Sequence, residues 1–261
     1  MTDKAYFIFD PSPEGRVFLR AGNLSEIPEA LDETTFEGQA GAFRLQGRVA
    51  HDENSDRWAL LREGDDVPKG LIALSRRELP AIFGYDLFVR AGIAFQIMNL
   101  TRSNQFCGVC GTAMGDHKVD RARECPSCGH IVYPVMSPAI IVAVTRGDKL
   151  LMGHGVNFPS GRYSVLAGFV EPGETFEEAV AREIYEESKV RVKNIRYFGS
   201  QPWPFPNSMM IGFKADWESG DPQADGEELT DVRWFARDEL PEIPPSVSIS
   251  RKLIDDWRSR A

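Results

Sequence analysis

In GFVEPGETFEEAVAREIYEESKV, residues 168–190, several carboxylates fall on one short helix directly after a Pro-Gly turn. Pro172 and Gly173 close the turn, Thr175 and Glu178 have the spacing of a capping box, and Phe176, Val180 and Ile184 recur at i, i+4 as an apolar stripe. The spacing predicts a helix that starts near Thr175. On it Glu183, Glu186 and Glu187 stand at i, i+3 and i+4, within an arc of roughly 100°. Carboxylates packed that closely repel, and a hard divalent cation such as Mg2+ or Mn2+ removes the repulsion while keeping positions open for water and phosphate oxygens. The pattern therefore points to phosphate chemistry, whereas a merely solvated acidic face does not require Gly168, Arg182 and the glutamates at fixed offsets.

Working outward, AIIVAVT after Pro138, a Gly147-Asp148 turn and KLLMG read as a buried strand pair. SVLA, MIGFKADW and DVRWF read as further strands, and Leu253, Ile254 and Trp257 mark one face of a helix near residues 250–259. Strands and helices intermixed in this way suit an α/β/α sandwich around a mixed sheet. Residues 1–100 alternate short apolar runs such as YFIF, AFRL and WALL with turn residues, then reach a helix over about 87–100; no chemistry is legible there.

The four cysteines form CGVC, Cys107 and Cys110, and CPSC, Cys125 and Cys128, with fourteen residues between the pairs. Each CxxC turn aims two thiolates at one point, and the intervening loop lets the second pair complete a closed, structural tetrahedron for Zn2+. Two disulfides would suit a small secreted domain, but MTDKAYFIFD lacks a basic start followed by an apolar core, so a reducing compartment, the cytoplasm, is expected. His117 and His130 read as exposed loop residues. In 261 residues, 42% hydrophobic and 26% charged, no apolar run reaches the roughly 18 residues of a membrane span. A net charge of -9 disfavours general attraction to nucleic acid or anionic membranes, so an anionic substrate must be held by metal and local bases.

Against the pattern G x5 E x7 R E U x E E x G U, with U a bulky aliphatic residue, Gly168, Glu174, Arg182, Glu183, Ile184, Glu186, Glu187 and Val190 all fall in place. The segment resembles the Nudix box. Its last glycine is Lys189 here, so that residue must adopt a left-handed conformation or end the helix differently. Downstream, SQPWPFPNS, residues 200–208, alternates prolines with Trp203 and Phe205; by itself it reads as a stiff extended loop whose rings either pack on the core or stack on a flat heterocycle. It resembles the SQPWPFPxS signature of the NADH pyrophosphatase (NAD-capped RNA hydrolase) branch of the Nudix superfamily, which also carries a zinc ribbon before its Nudix domain.

That resemblance implies an N-terminal mixed α/β domain over 1–100, a zinc ribbon over 101–133 and a Nudix domain over 134–261. It implies hydrolysis of NAD(H) to NMN(H) and AMP, and of NAD caps on RNA 5′ ends. The implied ligands of Mg2+ or Mn2+ are the carbonyl of Ala167 with Glu183, Glu187 and Glu228; Glu186 is a further ligand or support, and Arg182 orients the glutamates. Phe169 would stack on nicotinamide, with Trp203 of the partner subunit reaching across in an obligate homodimer. Tyr133 and the backbone around Ser250 would contact the adenosine half. The remaining loop residues, Gln201, Pro202, Pro204, Phe205, Pro206, Asn207 and Ser208, would complete the substrate site. Two alternatives stand beside this: hydrolysis of another nucleoside diphosphate derivative such as ADP-ribose, or a non-catalytic zinc-ribbon module that binds RNA or protein.

Overall fold

The computed structural model describes residues 4–12, 15–20, 29–50, 55–64 and 70–259. They divide into two compact units: one runs to Val135 and takes in Pro204–Asn207, and the other comprises Met136–Trp203 with the chain from Ser208 onward.

In the N-terminal unit, β1 (Tyr6–Phe9), β2 (Val17–Arg20), β3 (Phe43–Arg48), β4 (Arg57–Leu61) and β5 (Leu71–Leu74) form one sheet in the order β3-β4-β1-β2-β5. Among the described strands of this sheet, β1 and β4 pair in parallel and the other neighbours antiparallel. The apolar runs expected from the sequence supply its core, with Tyr6, Ile8, Phe18 and Ala59 packed against Phe36 of α1 (Glu33–Gly38). Short α2 (Leu79–Phe83) precedes α3 (Tyr85–Ser103), which extends the expected helix at both ends. Beyond it, β6 (Gly115–Asp116), β7 (Arg123–Glu124) and β8 (Ile131–Val132) make the small antiparallel sheet of the cysteine-bearing ribbon.

The C-terminal unit is built on β9 (Ser137–Arg146), which is long, apolar and central. It pairs antiparallel with β10 (Lys149–Gly155) through the Gly147-Asp148 turn and with β11 (Leu166–Phe169) at its other end. Its opposite edge pairs in parallel with β13 (Ser208–Ser219), so the sheet is mixed; β12 (Arg191–Trp203) and β14 (Leu229–Phe235) are the outer strands. Side chains of a strand alternate between faces, and β9 uses both. Ile140, Val142 and Val144 cluster with Val180 and Ile184 of α4 (Phe176–Ser188), while Ile141 and Ala143 cluster with Leu253, Ile254 and Trp257 of α5 (Ile249–Ser259). Helices thus cover both faces, as expected for the α/β/α sandwich. Ile184 is fully inaccessible, a burial that contributes about 1.5–3 kcal/mol.

One expectation is corrected. Residues 200–208 are not an extended loop: β12 continues to Trp203 and β13 starts at Ser208, with Gln201 opposite Met210 and Trp203 opposite Ser208, leaving Pro204–Asn207 as the turn. Pro202 lacks an N–H, yet it is tolerated because β12 is an edge strand with one side free of ladder bonds.

Candidate active site and zinc centre

Helix α4 begins as its sequence dictates. Thr175 Oγ1 accepts from Glu178 N (3.2 Å), and Glu178 returns an acceptor to Thr175 N (2.8 Å). Gly173 supplies the positive φ of the preceding turn, at 97°. The helix ends at Lys189, which does take the left-handed conformation (φ 60, ψ 11) that the missing glycine would have adopted freely. Its Nζ donates to the Glu186 carbonyl at 3.2 Å, so the side chain satisfies one of the last orphan carbonyls.

Arg182 is the hub of the acidic face. Its guanidinium donates to Glu174 (2.5 and 2.8 Å), Glu183 (2.9 Å), Glu186 (3.0 Å) and the carbonyl of Phe169 (2.9 Å), which ties α4 to β11. Hydrogen bonding to Arg182 holds the Glu174 carboxyl down to about 2. Gly168 on β11 is required by close approach, because a Cβ there would collide with the Glu183 carboxylate. Burial pushes the Glu183 carboxyl upward against the opposing pull of Arg182.

Glu187 is the outlier. It is 5% exposed, its Oε2 is buried without a hydrogen-bond partner, and burial followed by the nearby charges of Glu183, Glu228 and Asp225 pushes its carboxyl up to about 8. Together with Glu228 and Ala167 it lines a cleft of about 480 Å³. An orphaned, buried carboxylate oxygen surrounded by like charges is the environment a divalent cation stabilises, so the residues fit the metal. Asp225, which sequence reasoning passed over, braces this wall by accepting from the backbone N–H groups of Leu229 (2.9 Å), Glu227 and Glu228 (both 3.2 Å). The Asp225-Gly226 pair was the available signal, since aspartate before glycine favours such turns.

The predicted substrate residues separate. Phe169 stands 58% exposed on β11. Tyr133 is exposed in the N-terminal unit, Pro202 and Pro206 are exposed, and Trp203 and Asn207 are half-buried. Others have side chains engaged in internal contacts. Gln201 is buried, donating to Val247 O (2.8 Å) and accepting from Ile249 N (2.6 Å), so it fixes the start of α5 to β12. Ser250 is buried with its Oγ 2.7 Å from Ser164 Oγ, and Ser208 is buried as well. Pro204 lies against Gly92, and Phe205 stacks on Phe88 (6.0 Å) beneath the guanidinium of Arg77 (4.2 Å), all within the N-terminal unit. Arg76, 2% exposed, lies over the rings of Phe95 and Phe205 and donates to the Pro204 carbonyl. Those aromatic contacts are worth more to Phe205 than exposure to solvent.

In the ribbon, all four cysteines are free thiols, and their Sγ atoms converge within 4.8 Å of one another. Cys110 lies 3.5 Å from both Cys125 and Cys128, and Cys107 lies 3.6 Å from Cys128. Disulfide bonding requires about 2.05 Å, whereas a tetrahedron with zinc–sulfur bonds of about 2.3 Å has edges near 3.8 Å. The set fits zinc. Both knuckles are made alike: Gly111 N donates to Cys107 O (2.9 Å) and Gly129 N to Cys125 O (3.0 Å), each glycine at positive φ, 74° and 72°. His130 is exposed; His117 is half-buried and its Nδ1 accepts from Asp120 N (3.0 Å).

Two family patterns match: the NUDIX domain over residues 136–257 and the NADH pyrophosphatase zinc ribbon domain over residues 102–133. Over 260 residues the chain is 48% identical to a protein of Enterobacter sp. named NAD-capped RNA hydrolase NudC, covering 97% of this chain and 93% of that one. This chain belongs to the Nudix hydrolase family. Its ribbon places it in the NADH pyrophosphatase branch. The Pseudomonas syringae protein of the same name is 48% identical over 220 residues, 84% of this chain and 79% of that one. Among solved structures, a NUDIX hydrolase from Nitrosomonas europaea superposes with a TM-score of 0.51 at 27% identity, covering 60% of this chain and 92% of that one.

Proposed function

We propose that this Nudix hydrolase cleaves the diphosphate bond of NAD(H) to give NMN(H) and AMP, and removes NAD caps from RNA 5′ ends. The observation that carries the reading is the unpartnered Glu187 oxygen, set in a cleft with Glu228 and Ala167, in a chain similar along its length to NAD-capped RNA hydrolases. Glu183, Glu187, Glu228 and the Ala167 carbonyl would hold Mg2+ or Mn2+, with Glu186 beside them. When bound, the cation neutralises the diphosphate and acidifies water. Arg182, fixed by its bonds to Glu174 and Phe169, keeps Glu183 and Glu186 in place. Among the glutamates we assign Glu187 to take the proton of the attacking water, beside its role as ligand. The water oxygen joins one phosphorus in line, the bridging P–O bond breaks, and the departing phosphate leaves as the mononucleotide.

For the substrate, Phe169 presents an open ring for nicotinamide, and Tyr133 and the backbone at Ser250 serve the adenosine half. Trp203 of a second copy would complete the site in a homodimer; Phe169 stands exposed in the single chain. We assign residues 1–100, 101–133 and 134–261 as the N-terminal domain, ribbon and catalytic domain. The free thiols suit a reducing cytoplasm, and among the described residues no helix is long and apolar enough to cross a membrane.

Mass-resolved analysis of products after incubation with NADH, ADP-ribose and NAD-capped RNA in Mn2+ tests this. NMNH and AMP from NADH, with 5′-monophosphate RNA from the capped transcript, are the expected products. Intact NADH beside cleaved ADP-ribose would refute the assignment.

A further inference from the structure

We infer that Phe158 is a stacking platform for a flat heterocyclic base of the substrate, built into the wall of the carboxylate cleft. The inference deepens the function proposed above and rests on its dinucleotide substrate. Among the described residues that line the cleft with Glu187, Glu228 and Ala167, Phe158 is the one aromatic side chain. Phe169, the ring expected from the sequence to stack, does not line this cleft. Phe158 remains 39% exposed even though it follows a strand whose apolar residues are fully buried, so burial does not account for its being aromatic.

The surrounding structure holds the ring in place. The β10–β14 ladder shifts register between His154 and Gly155, and a bulge of this kind re-aims the chain that follows. Directly after it, Val156 N donates to the Glu228 carbonyl at 3.0 Å and Phe158 N to the Gly155 carbonyl at 2.9 Å. The first bond registers the Phe158 loop on the residue that supplies a predicted metal ligand. The second closes the turn that brings the ring back over Gly155, where a Cβ would sit 3.4 Å from it, in ordinary van der Waals contact. His154 meets the ring edge-on, centroids 6.3 Å apart at 81°, and is itself fixed by Nδ1 at 2.7 Å from the Arg162 carbonyl. A ring with Gly155 on one side and His154 at its edge has fewer rotamers to lose on stacking, and the neighbouring Asn157, also in the cleft, offers an amide to a base edge.

The test is a series at one position, Phe158→Ala, Phe158→Leu and Phe158→Tyr. It reads kcat and KM for NADH, and calorimetric binding of AMP and of NMN to the Mg2+-loaded protein. We expect Phe158→Ala and Phe158→Leu to raise KM about tenfold with the loss in KM rather than kcat, and Phe158→Tyr to restore it. The mononucleotide that loses affinity identifies the stacked base as adenine or nicotinamide. A KM within about twofold of the parent in Phe158→Ala, or Phe158→Leu equal to the parent, would overturn the platform. Mononucleotide binding needs no turnover, so an enzyme inert toward NADH would refute the activity while these arms still decide the platform.

Discussion

The ribbon and the carboxylate cleft each crowd several metal-ligating groups into a few ångströms, but they manage the crowding in opposite ways. The ribbon brings four thiols together with two glycine-closed backbone turns and almost no apolar core, Met114 and half-buried Val132 being the main apolar neighbours. The cleft hangs on a helix and sheet already stabilised by fully buried Val180, Ile184 and Ile140; Arg182 neutralises one side of the acidic cluster, and Glu187 is left unpartnered. In one region the metal substitutes for a core. In the other the fold is self-sufficient and tolerates a destabilised carboxylate that only metal relieves.

Breaking the ribbon should give the largest stability effect. Cys125→Ser, or zinc removal by a strong chelator, should cost that module on the order of 10 kcal/mol and unfold it. Amide exchange would then rise across residues 105–133 while β9 and α4 stay protected. Protection retained in the ribbon without zinc would erase the contrast between the two regions.

The cleft should show its strain in the metal-free protein. The Glu187 carboxyl lies at about 8 in the fold against an ordinary 4.5, so the folded state binds the proton more tightly. Its stabilising contribution is therefore complete below pH 4.5 and is lost as pH rises through 8, on the order of a few kcal/mol. Glu174, held near 2, makes its change below pH 4.5, outside this window. Unfolding midpoints of metal-free protein should fall between pH 4.5 and 8, and Glu187→Gln should flatten that slope. An unchanged slope in the variant would place the strain elsewhere.

The smallest expected effect is at Lys189. Replacing it with glycine removes the cost of a left-handed lysine but also its bond to Glu186 O, for a net gain of about 1 kcal/mol or less by thermal unfolding. A destabilised Lys189→Gly protein would mean that the side-chain cap outweighs the backbone strain.

What could be read from the sequence follows from where periodicity and spacing carry the information. The capping box, the i, i+3, i+4 glutamates and the paired CxxC turns are local, so α4 and the ribbon were legible to within a residue or two. β12 was not: RVKNIRYFGSQPW is an edge strand with shifted registers and a left-handed Asn194, so its alternation is broken by charges and proline. The parallel pairing of β1 with β4 joins distant segments and leaves no local mark. The internal contacts of Gln201, Phe205 and Ser250 were not legible either, because each partner lies far away in the chain: Val247 and Ile249 for Gln201, Phe88 for Phe205 and Ser164 for Ser250. Phe158 sits in NFPSG, a loop with no period, and only the β-bulge before it and the bond to Glu228 bring it to the cleft.

The most direct test of the account is kcat for NADH in Glu187→Gln at saturating Mn2+, measured beside zinc content and the unfolding midpoint in the same preparation. A fall of about 10³-fold is expected, with one zinc per chain retained and, in the metal-free state, a midpoint at least as high as the parent's. Near-parental turnover, or a loss of activity that tracks loss of zinc or of fold, would contradict it.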